Sequence, residues 1–303
     1  MPNTLVHFGL QGVASRRLVA HADVKWIFLG CILPDIPWIF RRAAVVLVPS
    51  VDLYALQVYA IAQASLAVTL LLCAALALLT SRPLLVFGIL SVNSFFHLLL
   101  DGLQTKWGNG VHLLAPLKWE LWNAGWVWPN SPVVWVLTAF GLGYFVWLWR
   151  RQPPEAIRPL PMQLRYARYA GSAGLMALYL LLPLAMAGGP SGSDNHFVST
   201  LQAGEDREGR YVEFDRSVYL VTSAGNLLVT YAGDTLRLEG DTPETSGVIS
   251  ARGRFTGPDV VRVYNVHRHA PWLRDGASYL GLLLLGLLWL SALRKPSSPT
   301  AGV

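Results

Sequence analysis

A chain of 303 residues with 53% hydrophobic and only 14% charged residues falls well short of the roughly 25% charge of an average soluble domain. That excludes an ordinary soluble globule and points to a chain held largely in lipid. The formal net charge of +6 does not argue for a nucleic-acid partner, because the basic residues gather at the ends of apolar stretches, where they set membrane orientation.

The expected fold class is an α-helical integral membrane bundle of about six or seven spans with an inserted extracytoplasmic all-β domain. The start of the chain lacks the basic region and small-residue cleavage site of a signal peptide, so it is expected to be retained. Two weak spans come first, Thr4–Ala20 and Val24–Val48, the second with Pro34 and Asp35 in its middle; together they read as a short hairpin. Leu53–Leu79 and Pro83–Leu103 are clear spans, each near the ~20 apolar residues that a bilayer core requires. Residues 1–130 therefore form the first helical block. The loop Gln104–Ser131 carries Trp107, Trp119, Trp122, Trp126 and Trp128, residues that favour the headgroup region. They form either an interfacial belt or a lipid-binding lip.

Residues 131–190 hold two further spans, Pro132–Trp149 and Gly171–Ala187. Between them, Arg150, Arg151, Arg158, Arg165 and Arg168 mark a cytoplasmic loop. Twelve of the eighteen acidic residues lie between Asp194 and Asp275, so residues 191–275 form the polar domain. Short β-branched and aromatic runs fill it: Tyr211–Phe214, Val218–Val221, Leu227–Tyr231, Thr235–Leu238, Gly247–Ser250 and Val260–Tyr264. Their spacing predicts a small barrel or sandwich. Both cysteines, Cys31 and Cys73, lie in apolar spans, so the polar domain has no disulfide framework. A last span, Ala277–Leu293, falls within residues 276–295, and the Ser/Pro/Gly-rich tail 296–303 reads as disordered. Walking inward from the basic anchors gives seven crossings and places the β domain outside, in a multi-pass protein of a bacterial-type cytoplasmic (inner) membrane. Arg41 and Arg42 are the exception, landing near the outer side.

Ionisable groups at membrane depth are costly and mark sites. His97 and Asp101 are one helical turn apart on one side of an apolar helix. Asp35 and His7 reach the same membrane depth in the seven-span arrangement. Two imidazoles and two carboxylates suit Zn²⁺ or Mn²⁺, and a cation with three or four protein ligands and an open position activates water and polarises a carbonyl or phosphoryl oxygen. The expected metal ligands are His7, Asp35, His97 and Asp101, with Asp35 or Asp101 as the catalytic carboxylate. Arg41 and Arg42 are expected to hold a lipid phosphate through their planar donor forks. His112 and Lys118 would contact substrate or, for His112, add a ligand. His267 and His269, two residues apart on a strand, permit metal binding or an interfacial role. Asn93 and Ser94 would hydrogen-bond a ligand histidine or join helices.

Three ordered features of the first 130 residues carry a family resemblance: His7-Phe8-Gly9; the Leu-Pro-Asp of Leu33, Pro34 and Asp35 closing an apolar helix; and His97 and Asp101 followed by Thr105, Gly110 and Pro116. In this order they resemble the YdjM-like family of predicted membrane-bound metal-dependent hydrolases. The resemblance implies a metal held by these His and Asp residues and a hydrolytic activity. Two features depart from it: Ile36 and Pro37 stand where the family often has a second Asp, and no histidine lies between His21 and His97, where the family usually has a His-rich segment. The run Gly253–Asp259 and the strand after it resemble the later strands of OB-like barrels, which implies no ligand. The expected function is a membrane-embedded metal-dependent hydrolase acting on a lipid or lipid-linked ester or phosphoester at the outer leaflet. Membrane lipid is its partner, and the β domain is free to take a protein. The competing readings are a non-enzymatic anchor or scaffold presenting the β domain, and a metal or lipid transporter.

Overall fold

The computed structural model describes residues 3–19, 22–157, 160, 162–193, 197–223 and 225–295; the tail 296–303 lies outside them. The helices are α1 (Thr4–Leu18), α2 (Val24–Gly30), α3 (Ile36–Leu47), α4 (Leu53–Gln63), α5 (Leu66–Leu78), α6 (Pro83–Gly102), α7 (Pro132–Arg151), α8 (Arg165–Ala185) and α9 (Pro271–Leu293). Four helical segments are long and apolar enough to cross a membrane: Pro83–Gly102, Pro132–Arg151, Arg165–Gly192 and Trp272–Leu293. The pair α4 and α5, bent by 69° at the break between them, is a fifth candidate if taken as one span.

Among the described residues the candidates number four or five, not seven, because neither N-terminal segment forms a helix long enough to cross. α1 has 15 residues, about 22 Å at 1.5 Å per residue, against a hydrocarbon core of about 30 Å. Its polar residues His7, Gln11 and Ser15 are buried in protein rather than exposed to lipid. α2 stops after seven residues, and a 3₁₀ turn over Leu33–Asp35 leads into α3. Pro34 and Pro37 explain the break, since proline withholds the N–H that a continuing helix needs. α3 is amphipathic: it buries only Pro37, while Phe40, Val46 and Leu47 are exposed.

Glycines bring the helices close enough to set the site. A Cβ on Gly141 of α7 would lie 1.8 Å from the Leu5 carbonyl oxygen of α1. Gly30 at the end of α2 allows a similar approach to α6, where a Cβ would lie 2.8 Å from that of Asn93. Small residues at such crossings let backbones touch in a lipid environment. Phe8, Phe28 and Phe145 fill the core between α1, α2 and α7.

The polar insert forms five strands: β1 (Tyr211–Thr222), β2 (Gly225–Val229), β3 (Thr235–Gly240), β4 (Gly247–Gly257) and β5 (Val260–His269). β1 pairs with β2 and β4, β2 with β3, and β4 with β5, all antiparallel; a short parallel pairing of β3 with β5 joins the remaining edges. Alternating residues such as Val212, Phe214, Leu236 and Leu238 point into a shared apolar core. The sequence divides the first 12-residue strand into two runs. The structure makes it one strand with a bulge between Phe214 and Ser217, so Asp215 and Arg216 interrupt the alternation without ending the pairing.

The β unit is docked, not tethered. Gly108 N donates to Glu213 Oε2 (2.6 Å), and Asn109 Nδ2 donates to Asp215 Oδ2 (3.1 Å). Trp128 stacks on His267 at 3.7 Å, and Arg252 lies over Trp107 at 4.9 Å. Those two tryptophans of the loop therefore bind the β unit, whereas Trp126 is exposed.

Candidate metal centre

Three elements deliver the site. α6 presents His97 and Asp101 one turn apart, α1 lies alongside with His7, and the 3₁₀ turn carries Asp35. The His7 and His97 rings stack at 4.0 Å between centroids. His7 Nε2 lies 3.4 Å from Asp101 Oδ1, and His97 Nε2 lies 3.3 Å from Asp35 Oδ1 and 3.9 Å from Asp101 Oδ2. His7, His97 and Asp101 are buried and form a group that could hold a metal ion, with one ligand atom from each within 4.8 Å of the others.

The protonation pattern is set by the outer partners. His97 Nδ1 lies 2.6 Å from the Cys31 carbonyl, which can only accept, so Nδ1 carries a hydrogen, and in the neutral imidazole Nε2 is the lone pair. The Gln11 amide sits 2.8 Å from His7 Nδ1. Oriented with its nitrogen donating to Asn93 O (2.9 Å), it turns its oxygen toward His7 Nδ1 and the His97 amide. His7 Nε2 is then also a lone pair. Both imidazoles thus aim acceptors at two carboxylates. His7 Nε2, Asp35 Oδ1, His97 Nε2 and Asp101 Oδ1 are all buried without a hydrogen-bond partner. Metal–ligand bonds of about 2.0–2.1 Å place neighbouring tetrahedral ligand atoms about 3.3 Å apart, close to the 3.4 Å of His7–Asp101 and the 3.3 Å of His97–Asp35, with the 3.9 Å of His97–Asp101 wider. His7, His97 and Asp101 fit a divalent cation, with Asp35 against His97 at its edge, and the Nδ1 bonds to Gln11 and Cys31 are the outer contacts that fix ligand histidines.

The two carboxylates differ. Asp101 Oδ2 accepts from Lys106 Nζ at 3.2 Å, and that lysine is almost fully buried. Asp35 is partly exposed and stands on the wall between two cavities. The smaller, about 30 Å³, is lined by Asp35, His97, Asp101 and His112 among others. His112 Nδ1 donates to the Trp119 carbonyl (2.9 Å), which leaves its Nε2 buried and without a partner. The larger, about 600 Å³, lies between α3, α9 and the β unit, with Arg41, Arg42, Arg216 and Arg274 in its lining. That volume is typical of a small-molecule site.

Arg216 has a left-handed backbone, φ 48°, a strain on the order of 1–3 kcal/mol for a non-glycine residue. Asp215 holds it in a two-pronged pair at 3.2 and 3.1 Å, and Ser250 Oγ accepts from its backbone N–H at 3.1 Å. Burial raises the Asp215 pKa, and Arg216 more than reverses this, so the carboxyl lies well below the usual range.

Of the residues singled out in the sequence, His7, Asp35, His97 and Asp101 converge, His112 joins their small cavity, and Arg41 and Arg42 line the large one. Lys118 does not: it is exposed and lines neither. His267 and His269 are not a ligand pair. Each bonds a neighbour, Asn130 Oδ1 and Ser250 Oγ. Asn93 and Ser94 join helices, through Ser15 and the Gly30 carbonyl. Sequence reading missed Gln11, Lys106, Arg216 and Arg274. Gln11 had a signal, four residues after His7 on the same side of α1. Arg216 and Arg274 had none, since their placement depends on how the β unit docks. No family model matches the chain, and neither a curated protein nor a solved structure does.

Proposed function

We propose that the protein is an integral membrane, metal-dependent hydrolase that acts on a lipid or lipid-linked ester or phosphoester. The observation that carries this reading is the convergence of four buried, partnerless acceptor atoms from His7, Asp35, His97 and Asp101 beside a large cavity. Zn²⁺ or Mn²⁺ held there would supply Lewis-acid polarisation and activated water. Asp101, neutralised by Lys106, serves as a buried ligand. Asp35 borders the cavity and is the carboxylate placed to take a proton from the attacking water. Arg41 and Arg42 hold the substrate from α3, and His112 contacts it from the loop. The exposed apolar side of α3 suits a helix lying in the membrane interface, where lipid substrate is at hand. The cyclic strand order supports reading the β unit as an OB-like barrel outside the cytoplasm, at the end of α8 opposite the basic loop. A scaffold or a transporter gives no reason for an open carboxylate at the wall of a substrate-sized cavity.

The test is metal analysis of the purified full-length protein. Wild type is expected to carry about one Zn or Mn per chain, the occupancy of a single site with three protein ligands and an open position, with His97→Ala and Asp101→Ala each losing it. Wild-type protein without metal, after purification free of chelators and with Zn and Mn supplied, overturns the reading.

A further inference from the structure

The large cavity is walled by two separate parts of the chain. Asp35, Trp38, Arg41 and Arg42 come from the N-terminal half; Asp215, Arg216, Arg274 and Asp275 come from the β unit and the start of α9. Its lining holds four arginines and four carboxylates, Asp35, Glu213, Asp215 and Asp275 among the described residues. The carboxylates are committed. Asp35 belongs to the cluster, and Glu213 is tied to Gly108 N and the Tyr211 hydroxyl. Asp215 and Asp275 orient Arg216 and Arg274.

The pair with Asp215 does not exhaust Arg216. A guanidinium has five N–H donors, and Asp215 takes two of them from Arg216, at Nε and Nη2. Nη1 is left for a ligand. Arg41 has a buried Nε with no partner, and its guanidinium carbon lies 5.6 Å from the Tyr231 ring. The backbone supports the same conclusion. The bulge in β1 puts Arg216 in a left-handed conformation, and a bulge is a means of re-aiming a side chain. It occurs where β1 meets the loop after α6, held by Asn109 and Ser250.

We propose that Arg216 and Arg274 from the β unit side, with Arg41 from α3, form a phosphate-binding seat beside Asp35, so that the substrate is a phosphoester and not a carboxyl ester. As a substrate site this rests on the hydrolase reading; as a binding site it does not. Planar forks from three segments lining one cavity suit a tetrahedral oxyanion. A cation in the cluster would add positive charge to a lining that is otherwise balanced, matching a phosphate. Tyr279, Ile39 and Leu282, in the same lining, give an acyl or prenyl chain an apolar wall toward the bilayer.

The experiment is equilibrium binding to the full-length protein in detergent, with and without chelator. The probes are a short-chain phosphatidic acid, the diacylglycerol of the same chains, and inorganic phosphate. Phosphatidic acid should bind and the diacylglycerol should not. Arg216→Lys, Arg274→Gln and Arg41→Gln should each weaken binding by about tenfold, the loss of one charge-assisted contact, while Lys118→Gln changes nothing. Inorganic phosphate that binds as tightly as the lipid assigns the seat to free phosphate; much weaker binding assigns it to a lipid headgroup. The arginine dependence is expected to persist in chelated protein, so it stands even if the metal reading fails. Should Arg216→Lys not fold, Arg41→Gln on the partly exposed α3 carries the test. Arginine variants that bind phosphatidic acid like wild type, or diacylglycerol binding of equal strength, overturn the proposal.

Discussion

Two buried polar clusters lie a short way apart in this molecule, and they are built on opposite terms. On β1, acceptors meet donors: Asp215 takes bonds from Arg216 and Asn109, and Ser250 bonds His269. Among the helices, acceptors meet acceptors: two imidazole lone pairs face two carboxylates. A satisfied network stabilises its fold without help, whereas an unsatisfied one in low dielectric costs free energy until something fills it. The acceptors of the β cluster are therefore satisfied as folded, with Arg216 keeping donors to spare, whereas the neutral imidazoles and carboxylates of the helical cluster call for a cation between them. The difference separates a brace from a site more clearly than residue type does, since both clusters contain His and Asp.

The strongest way to break this comparison is to remove the cation. Chelation of metal-loaded protein should lower stability by about 4 kcal/mol if the free metal had stood near a thousand times its dissociation constant, a fall of about 10 °C in melting temperature for a chain of this size. The sign of one substitution sharpens it. Asp35→Asn removes a carboxylate from the cluster, so it should melt below wild type when both are loaded and above wild type when both are chelated. Thermal scans with and without chelator read both. The same order under both conditions would mean that the four acceptors do not repel and that the cluster is self-sufficient.

Lys106 offers a smaller effect on the same cluster. Among the described residues, it is the basic side chain that bonds a cluster carboxylate. Removing one partner of a buried pair costs about 3 kcal/mol or more, because the other charge is left uncompensated. Lys106→Met should show that loss in chelated protein and a smaller one when loaded, since a divalent cation also compensates Asp101. Denaturant midpoints under the two conditions measure it, and equal losses would place Lys106 outside the cluster's electrostatics.

Legibility in the sequence followed the range of the contacts. The spacing of His97 and Asp101 within one helix and the isolation of Asp35 and His7 in apolar context were local signals; His7, His97 and Asp101 form one group, and Asp35 lies against His97. Counting spans failed where composition could not tell a lipid-facing helix from a protein-buried one. α1 is short and packs against α7, α9, α6 and α2, so its apolar residues have protein to face. The broken α2–α3 segment had its cause in plain view, Pro34 and Pro37, yet apolar length outweighed it. The strands were readable by alternation, but the bulge at Asp215 and Arg216 looked like a gap between two strands. The arginine wall was illegible, because Arg41 and Arg216 are 175 positions apart and nothing but the docking of β1 on the loop after α6 brings them together.

The smallest effect tests the β cluster, through pH. Burial, reinforced by Arg216, lowers the His269 pKa to about 3, against about 6.5 in an unfolded chain. The unfolded state then takes up a proton at His269 between those two values while the folded state does not. Stability from this group is therefore fully present above about pH 6.5 and is lost progressively as pH falls toward 3. Asp215, held low, adds a loss that begins only below about pH 3.9, the unfolded value. Acid also competes for ligand nitrogens in the helical cluster, so the measurement belongs in chelated protein. Denaturant midpoints for wild type should fall between pH 7.5 and 5, and those of His269→Gln should fall less over the same interval. If the two slopes are equal, His269 charges freely within the fold. Its bond to Ser250 would then be expendable, and the β cluster would not be the closed network that sets it apart from the helical one.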